Sequence, residues 1–239
     1  MDVTNVTRPA RKLLKLKFCG AVIVAAGNAS RMEGIDKVMA PLNGEPMIVK
    51  TVRQFQECDA IREIVVVTRA DLIMPIMDLC HNFSKVRAVV VGGASRDESV
   101  MMGLNTLSEK VELVAVQDGA RPLVTWQLID RVVRAANSYG AAIPVIPVKD
   151  TVKVVHSGLV DSTPDRSTLR AVQTPQVFDL DLLRAALHHA KQTGAQITDD
   201  CSAVELMGMK VRVVEGDERN LKITTPLDLK LAHLLLEEK

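Results

Sequence analysis

Residues Gly20–Met32 have the sequence GAVIVAAGNASRM, in which an apolar run ends in a loop of small residues. Such a short run is typical of a β-strand that is buried on both faces of a sheet. Similar runs recur along the chain, and amphipathic stretches of helical period separate them. The runs are Gly20–Ala26, Ile64–Thr68, Ala88–Val91, Leu113–Val116 and Ala141–Val148, and the stretches are Pro46–Glu57, Asp71–Asn82, Asp97–Leu107 and Thr125–Ser138.

This alternation predicts an α/β fold with a doubly wound, mostly parallel sheet that helices cover on both faces. Such sheets bind ligands beyond the carboxyl ends of their strands, so site residues should directly follow the apolar runs. The alternation resumes near the end of the chain. There we expect helices at Leu180–Thr193, Asp200–Met207 and Pro226–Glu237, and a strand at Lys210–Val214.

The segment before these last elements breaks the rhythm. From about Lys149 to Val177, two short strand-like pieces, Thr151–Val155 and Leu169–Gln173, flank the polar stretch His156–Ser167. We interpret this segment as a β-arm inserted into the fold. A two-stranded arm is only marginally stable in water, so we expect it to pack on a second copy of the chain in a homodimer.

The composition is that of an ordinary folded protein. Of the 239 residues, 47% are hydrophobic and 25% are charged, which excludes a disordered chain. The net charge of +1 creates no field that favours DNA or an anionic membrane, and aromatic residues, at 3%, are too few to stack single-stranded nucleic acid. We therefore expect neither nucleic acid nor a membrane as a partner.

The cysteines and the start of the chain bear on where the protein works. The four cysteines are far apart and lack metal-site spacing, which predicts free buried thiols and a cytoplasmic location. Basic residues crowd the first 17 positions, but the apolar run after them is too short for a signal peptide. We expect residues 1–17 to be a flexible tail and residues 18–239 to form one domain.

The loop after the first apolar run is a candidate phosphate site. Ala25, Ala26 and Gly27 are small enough for backbone N–H groups to approach a phosphate chain, and Arg31 and Lys37 supply positive charge. Neither GxxxxGK nor GxGxxG is present, which excludes the P-loop and the usual dinucleotide-binding loop. A plain strand-to-helix turn with solvated cations explains the same residues.

Two further loops follow apolar runs. In Gln117–Pro122, Asp118 stands at a strand end, where a carboxylate can hold Mg²⁺ against substrate phosphates, and Arg121 could bind a second phosphate. A β-turn with Asp at its start is the alternative. The loop Gly92–Ser99 opens a predicted helix, for which Asp97 is a candidate N-cap.

Later polar motifs also have purely structural explanations. Thr198 or Asp199 could cap the helix at Asp200, and Thr225 could cap one that begins with Pro226. Lys222 could lie on a short strand and point to solvent. The pair His188-His189 falls in a helical stretch, and we expect it to face solvent rather than act in catalysis.

Together, the motifs resemble one family from about Phe18 to Leu235. The patterns AAGxxxRM, GGxxRxxSV, DGARP, DTxK, TPQxF, TDDxS and NxKITxPxDL occur in the order found in the 2-C-methyl-D-erythritol 4-phosphate cytidylyltransferases. The resemblance implies a Rossmann-like nucleotidyltransferase fold, the use of CTP and Mg²⁺, and a dimer formed through a β-arm.

The resemblance also implies roles by position. It places CTP at Ala25, Ala26, Gly27, Arg31 and Lys37, with Gly93 and Ser99 facing the cytosine, Asp118 near the metal, Arg121 on the substrate side, and Thr151, Arg166, Thr174, Thr198 and Lys222 around the sugar phosphate. Arg31, Lys37, Arg166 and Lys222 would be catalytic. The chain departs from the family at Asp36, where proline is usual, and at Val38-Met39, where Gln and an aromatic residue are usual.

The expected reaction transfers CMP from CTP to 2-C-methyl-D-erythritol 4-phosphate and releases pyrophosphate, a step in isoprenoid precursor synthesis by the methylerythritol phosphate route. Three alternatives remain at this point. The chain could act on another polyol phosphate such as ribitol 5-phosphate, use UTP or GTP to activate a sugar, or be a non-catalytic nucleotide-binding module. The last should lack at least one of Arg31, Lys37, Asp118 and Lys222, yet all four are present.

Overall fold

A computed structural model describes residues 15–27 and 38–237. The predicted tail lies largely outside this range, and so do Arg31, Asp36 and Lys37. Lys17, the last residue of the predicted tail, is described, and its Nζ lies 3.0 Å from Asp179 Oδ2. Contacts with the domain therefore already include residue 17.

The elements follow the predicted alternation. The strands are β1 (Cys19–Ala25), β2 (Pro41–Leu42), β3 (Glu45–Pro46), β4 (Ile61–Thr68), β5 (Val86–Val91), β6 (Leu113–Asp118), β7 (Ala141–Pro147), β8 (Val154–His156), β9 (Leu159–Ser162), β10 (Arg170–Val172), β11 (Gln176–Asp179) and β12 (Arg212–Glu215). The helices are α1 (Met47–Glu57), α2 (Ile73–Cys80), α3 (Arg96–Thr106), α4 (Trp126–Tyr139), α5 (Leu180–Thr193), α6 (Asp200–Leu206) and α7 (Pro226–Glu237). Short 3-10 turns span Ala70–Leu72 and Arg166–Thr168.

Eight strands form the central sheet, in the order β10-β7-β11-β6-β1-β4-β5, with β12 also paired to β7. The pairs β1–β4, β1–β6, β4–β5 and β7–β12 are parallel, whereas β10 and β11 run antiparallel to their neighbours. The predicted fold class, a mostly parallel doubly wound sheet, is therefore confirmed.

Both faces of the sheet are buried. Along β1, Ala21 and Ile23 belong to one apolar core and Val22 belongs to the other, as the two-residue period of a strand requires. Helices α1, α2 and α4 cover the first face, and α3, α5 and α6 cover the second. A third, smaller cluster includes Leu42, Met47 and Ile223 and packs α7 beside the β2–β3 hairpin.

The predicted β-arm is wrong in its pairing. Its hairpin consists of β8 and β9, because Ser157 and Gly158 both adopt positive φ (51° and 79°) and turn the chain within two residues. The expected polar turn His156–Ser167 therefore contains a strand. The expected second arm strand, Leu169–Gln173, becomes β10 and pairs with β7 of the main sheet instead.

Two of the structural alternatives and one predicted helix boundary also differ from the structure. Ser95, not Asp97, caps α3, because its side chain accepts a hydrogen bond from the N–H of Glu98. Lys222 does not lie on a strand; residues 221–224 have no regular secondary structure. The helix expected at Asp71–Asn82 is a 3-10 turn followed by the shorter α2, and ends at Cys80.

Other local predictions agree with the structure. Asp199 caps α6 in a reciprocal capping box with Ser202, and Thr225 Oγ1 accepts from the N–H of Asp228 at the start of α7. His188 and His189 are exposed. All four cysteines are free and buried. Across residues 15–27 and 38–237, none of the helices has the length and apolar character needed to cross a membrane.

Candidate active site

A cavity of about 500 Å³ opens at the carboxyl edge of the sheet, where the fold predicts a ligand site. Its walls come from the loops after β1, β4, β5 and β6, from Val38 and from the chain leading into α7. The lining residues are Val24, Ala25, Ala26, Gly27, Val38, Arg69, Gly93, Ala94, Ser95, Arg96, Ser99, Asp118, Ala120 and Lys222.

Small residues let two loops approach each other beside this cavity. A Cβ atom on Gly92 would lie 2.6 Å from the Cβ of Ala26, and one on Gly93 would lie 2.3 Å from the Cβ of Glu98, so neither glycine has room for a side chain. Ser99 Oγ accepts a hydrogen bond from the N–H of Gly93 at 3.1 Å and donates to Ser95 O at 2.8 Å. This part of the wall is therefore tightly packed, and the Ser99 hydroxyl fixes the backbone of its loop at Gly93 and Ser95.

Asp118 lies at the end of β6 with three cations around its carboxylate. Its Oδ2 is 2.8 Å from Lys222 Nζ and 3.6 Å from Arg121 Nε, and its Oδ1 is 3.8 Å from an Nη of Arg96. Burial by itself raises the pKa of Asp118, but Lys222, Arg96 and Arg121 outweigh it and lower the pKa below its ordinary value. The carboxylate is therefore ionised at neutral pH.

Arg96 is a site residue that the sequence analysis did not select. Its guanidinium lines the cavity and lies 2.7 Å from Oδ2 of Asp200, a residue of α6 with no exposed surface. Burial opposes the charge of Arg96, but the Asp200 carboxylate overcomes this and raises the arginine pKa. The only sequence signal was the arginine in the GGxxRxxSV pattern, because Asp200 comes 104 residues later.

A buried polar network lies behind the cavity. Asn220 is fully buried, and its side-chain Nδ2 donates to Thr174 O at 2.9 Å, while its backbone carbonyl oxygen accepts from the Arg121 guanidinium at 2.7 Å. Gln173 donates to Asp217 O at 2.8 Å, and Thr174 Oγ1 accepts from the N–H of Asp118 at 3.1 Å. These bonds fix the loop that precedes Lys222 against the strand end that carries Asp118.

The structure brings together most of the expected site residues. Ala25, Ala26, Gly27, Gly93, Ser99, Asp118 and Lys222 line the cavity, and Arg121 and Thr174 lie directly behind Asp118. Val38, at a departure from the family pattern, also lines the cavity and packs in the core.

Like Arg121 and Thr174, three further expected residues are not among the described residues that line the cavity: Thr151, Arg166 and Thr198. All three are exposed. Arg166 lies beyond the arm hairpin and donates to Lys149 O at 2.6 Å. Arg31 and Lys37 lie outside the described residues.

The acidic groups at the cavity limit which metal could bind. Within residues 15–27 and 38–237, no cluster of three or more His, Cys, Asp or Glu side chains could hold an ion. Asp118 is the carboxylate that lines the cavity among these residues. A single carboxylate fits Mg²⁺ that arrives on a triphosphate, because that ion keeps most of its phosphate and water ligands.

The chain is similar to one known family along nearly all of its length. The model of the family "IspD: 2-C-methyl-D-erythritol 4-phosphate cytidylyltransferase" matches residues 19–238. The 2-C-methyl-D-erythritol 4-phosphate cytidylyltransferase of Symbiobacterium thermophilum is 46% identical over 220 residues, which cover 91% of this chain and 92% of the relative. The enzyme of the same name from Geobacillus kaustophilus is 43% identical over 222 residues, covering 92% and 97%.

Solved structures give the same result. The 4-diphosphocytidyl-2C-methyl-D-erythritol synthase of Anaerococcus prevotii superposes with a TM-score of 0.84 at 32% identity, covering 92% of this chain and 96% of that one. The 2-C-methyl-D-erythritol 4-phosphate cytidylyltransferase of Thermus thermophilus superposes with a TM-score of 0.78 at 33% identity, covering 92% and 99%. The sheet, the loops that line the cavity and these matches lead to one assignment: the chain belongs to the 2-C-methyl-D-erythritol 4-phosphate cytidylyltransferase (IspD) family.

Proposed function

We propose that the protein transfers CMP from CTP to 2-C-methyl-D-erythritol 4-phosphate and releases pyrophosphate, as part of isoprenoid precursor synthesis in the cytoplasm. The observation that carries this proposal is the cavity itself. Three cations, Arg96, Arg121 and Lys222, surround Asp118 beside a wall of small residues, in a chain of this family. The wall of small residues allows a flat base to lie close against it. The cations around Asp118 would attract the phosphates.

In this reaction, an oxygen of the sugar phosphate attacks the α-phosphorus of CTP, and the bond to the departing pyrophosphate breaks. Little covalent help is needed, because holding the two groups in line and neutralising their charge supply most of the acceleration. We assign the incoming phosphate to Lys222, which lines the cavity, while Arg121, behind Asp118, adds positive charge at the same end. Arg31 and Lys37 would neutralise the triphosphate and the leaving group.

We further propose that Mg²⁺ accompanies CTP into the site and that Asp118 is the protein group facing it. When bound, the ion neutralises phosphate charge and orients the triphosphate. The contribution of the chain is to keep Asp118 ionised, which Lys222, Arg96 and Arg121 do by lowering its pKa.

The arm supports a homodimer as the working form. Val155, Leu159 and Val160 on β8 and β9 are 55%, 75% and 63% exposed, an unusual state for aliphatic side chains on a small hairpin. Covering them with a second chain would remove this apolar area from water. Arg166, close to the hairpin and not seen at the cavity of its own chain, would then serve the site of the partner.

Pyrophosphate release tests the function directly. The protein should release pyrophosphate when it is given CTP, a divalent cation and 2-C-methyl-D-erythritol 4-phosphate, and excess EDTA should stop the reaction. Ribitol 5-phosphate in place of the substrate, and UTP in place of CTP, serve as matched controls. Comparable turnover with ribitol 5-phosphate would reassign the substrate, and full activity in EDTA would remove the metal from the proposal.

A further inference from the structure

We propose that Asp200 is a positioning residue for this reaction, whose buried carboxylate holds the guanidinium of Arg96 at the cavity wall beside Asp118. The inference rests on the proposed function. Asp200 is not among the described residues that line the cavity, so it would act through Arg96 rather than on substrate.

In this pair, Asp200 is buried and fixed, whereas Arg96 is partly exposed at the cavity. Asp200 has no exposed surface, whereas the side chain of Arg96 is 32% exposed and contributes to the wall. Their closest N and O atoms are 2.7 Å apart, a short charge-assisted hydrogen bond. Within the described part of the chain, the other carboxylate oxygen, Asp200 Oδ1, has no hydrogen-bond partner. The carboxylate of Asp200 is therefore stabilised mainly by its contact with Arg96 through Oδ2.

Asp200 cannot easily move away from Arg96. It is the first residue of α6, whose start is fixed by the capping box of Asp199 and Ser202. From β11, Gln176 donates to Asp199 Oδ2 at 2.7 Å and accepts from the N–H of Cys201 at 2.9 Å. The backbone on both sides of Asp200 is thereby tied to the sheet, and the carboxylate provides a rigid anchor.

Asp200 also affects which cation makes the shortest contact with Asp118. Asp200 keeps Arg96 3.8 Å from Asp118, which leaves the shorter 2.8 Å contact with Asp118 to Lys222. Without the Asp200 charge, Arg96 would be drawn to the nearest remaining carboxylate, which is Asp118. It would then compete with Lys222 and leave its place in the wall.

A double-mutant cycle tests the inference through kcat/KM for CTP. Asp200→Asn keeps the size of the side chain and removes its charge, and we expect a loss of about 10²-fold, the usual effect of a misplaced site group. In an Arg96→Ala background, the same change should cost less than about threefold, because the residue through which Asp200 acts is gone. Equal losses in both backgrounds, or no loss in the first, would overturn the inference.

Thermal unfolding supplies a second readout. Arg96→Ala leaves a buried carboxylate without its cation and should lower Tm, and adding Asp200→Asn to that variant should raise Tm again. A residue that only stabilised α6 would lower Tm in both backgrounds. Asp181→Asn is the matched control, since Asp181 also lies in the first turn of a helix and pairs with an arginine, but is exposed.

Failure of the proposed function and failure of the role of Asp200 give different results. A folded wild-type protein that transfers no CMP contradicts the function, whereas an active wild type with additive losses contradicts the role of Asp200 alone. If Asp200→Asn does not fold, the cycle is run with Asp200→Glu, which keeps the charge but shifts the guanidinium. Its loss must likewise disappear in the Arg96→Ala background.

Discussion

Asp118 illustrates how neighbouring charges decide the state of one buried carboxylate. Burial favours its neutral form, and three cations within 4 Å favour its ionised form and prevail. Lys222 makes the shortest of these contacts, so it contributes strongly to the lowered pKa. Its own side chain remains 46% exposed, which leaves it accessible to a substrate phosphate.

Replacing Lys222 by Ala should therefore change both the rate and its pH dependence. We expect kcat/KM to fall on the order of 10²-fold, the usual cost of losing one charged donor. Because the pKa of Asp118 is lowered in the wild type, activity that needs the ionised carboxylate disappears as pH falls through that pKa. Without Lys222 the pKa rises, so the acidic limb of the kcat/KM profile should move to higher pH.

The exposed Lys230 on α7 provides the control, and Lys230→Ala should leave the profile unchanged. An acidic limb at the same pH in Lys222→Ala and wild type would show that Asp118 does not govern it.

At the level of elements, the sequence was most informative where the pattern is periodic. The strands β1, β4, β6 and β7 followed from the apolar runs, because strands buried on both faces must be largely aliphatic. The arm was mispredicted because a two-residue turn at Ser157-Gly158 lies inside a stretch in which polar residues surround the short apolar pair Leu159-Val160. The Arg96–Asp200 pair could not be found, since no local pattern shows that two charges 104 residues apart will be brought into contact.

The arm also carries the prediction that belongs to this level. Val155 and Val160 lie opposite each other across the hairpin, and Asp161 is the next residue on β9. Val160→Lys should convert the dimer to a monomer in sedimentation at micromolar concentration, because the new charge would be buried against the partner. Asp161→Lys, which introduces the same side chain at an adjacent position that is already polar and exposed, should leave the dimer intact.

A wild-type monomer under the same conditions would mean that the apolar side chains of the arm serve another purpose. A dimer that persists in Val160→Lys would place the interface elsewhere on the chain.

For the whole molecule, the arrangement predicts an active site shared between two chains. Mixing Lys37→Ala and Arg166→Ala variants, each inactive alone, should restore activity through hybrid dimers that contain one intact site. Random exchange makes half of the dimers hybrid, so the recovered rate should approach about a quarter of the wild-type rate. Pyrophosphate release after verified subunit exchange measures it.

The matched control is a mixture of Lys37→Ala and Lys222→Ala. If both lysines serve the site of their own chain, no hybrid holds an intact site and no activity returns. Equal recovery in both mixtures, or none in the first, would show that Arg166 does not act across the dimer.

The cysteines have a consequence for how the molecule opens. Cys19, Cys58 and Cys80 belong to the core on one face of the sheet, and Cys201 belongs to the core on the other. Burial raises the pKa of Cys80 to about 11 and also raises the pKa of the other three thiols, so few reactive thiolates exist near neutral pH. We expect a thiol to become reactive when the part of the core that covers it opens. The native chain thus carries thiol probes of local opening in both cores. Labelling of Cys201 reports opening of the core that contains α6 and Asp200, and labelling of the other three cysteines reports opening of the core under α1, α2 and α4.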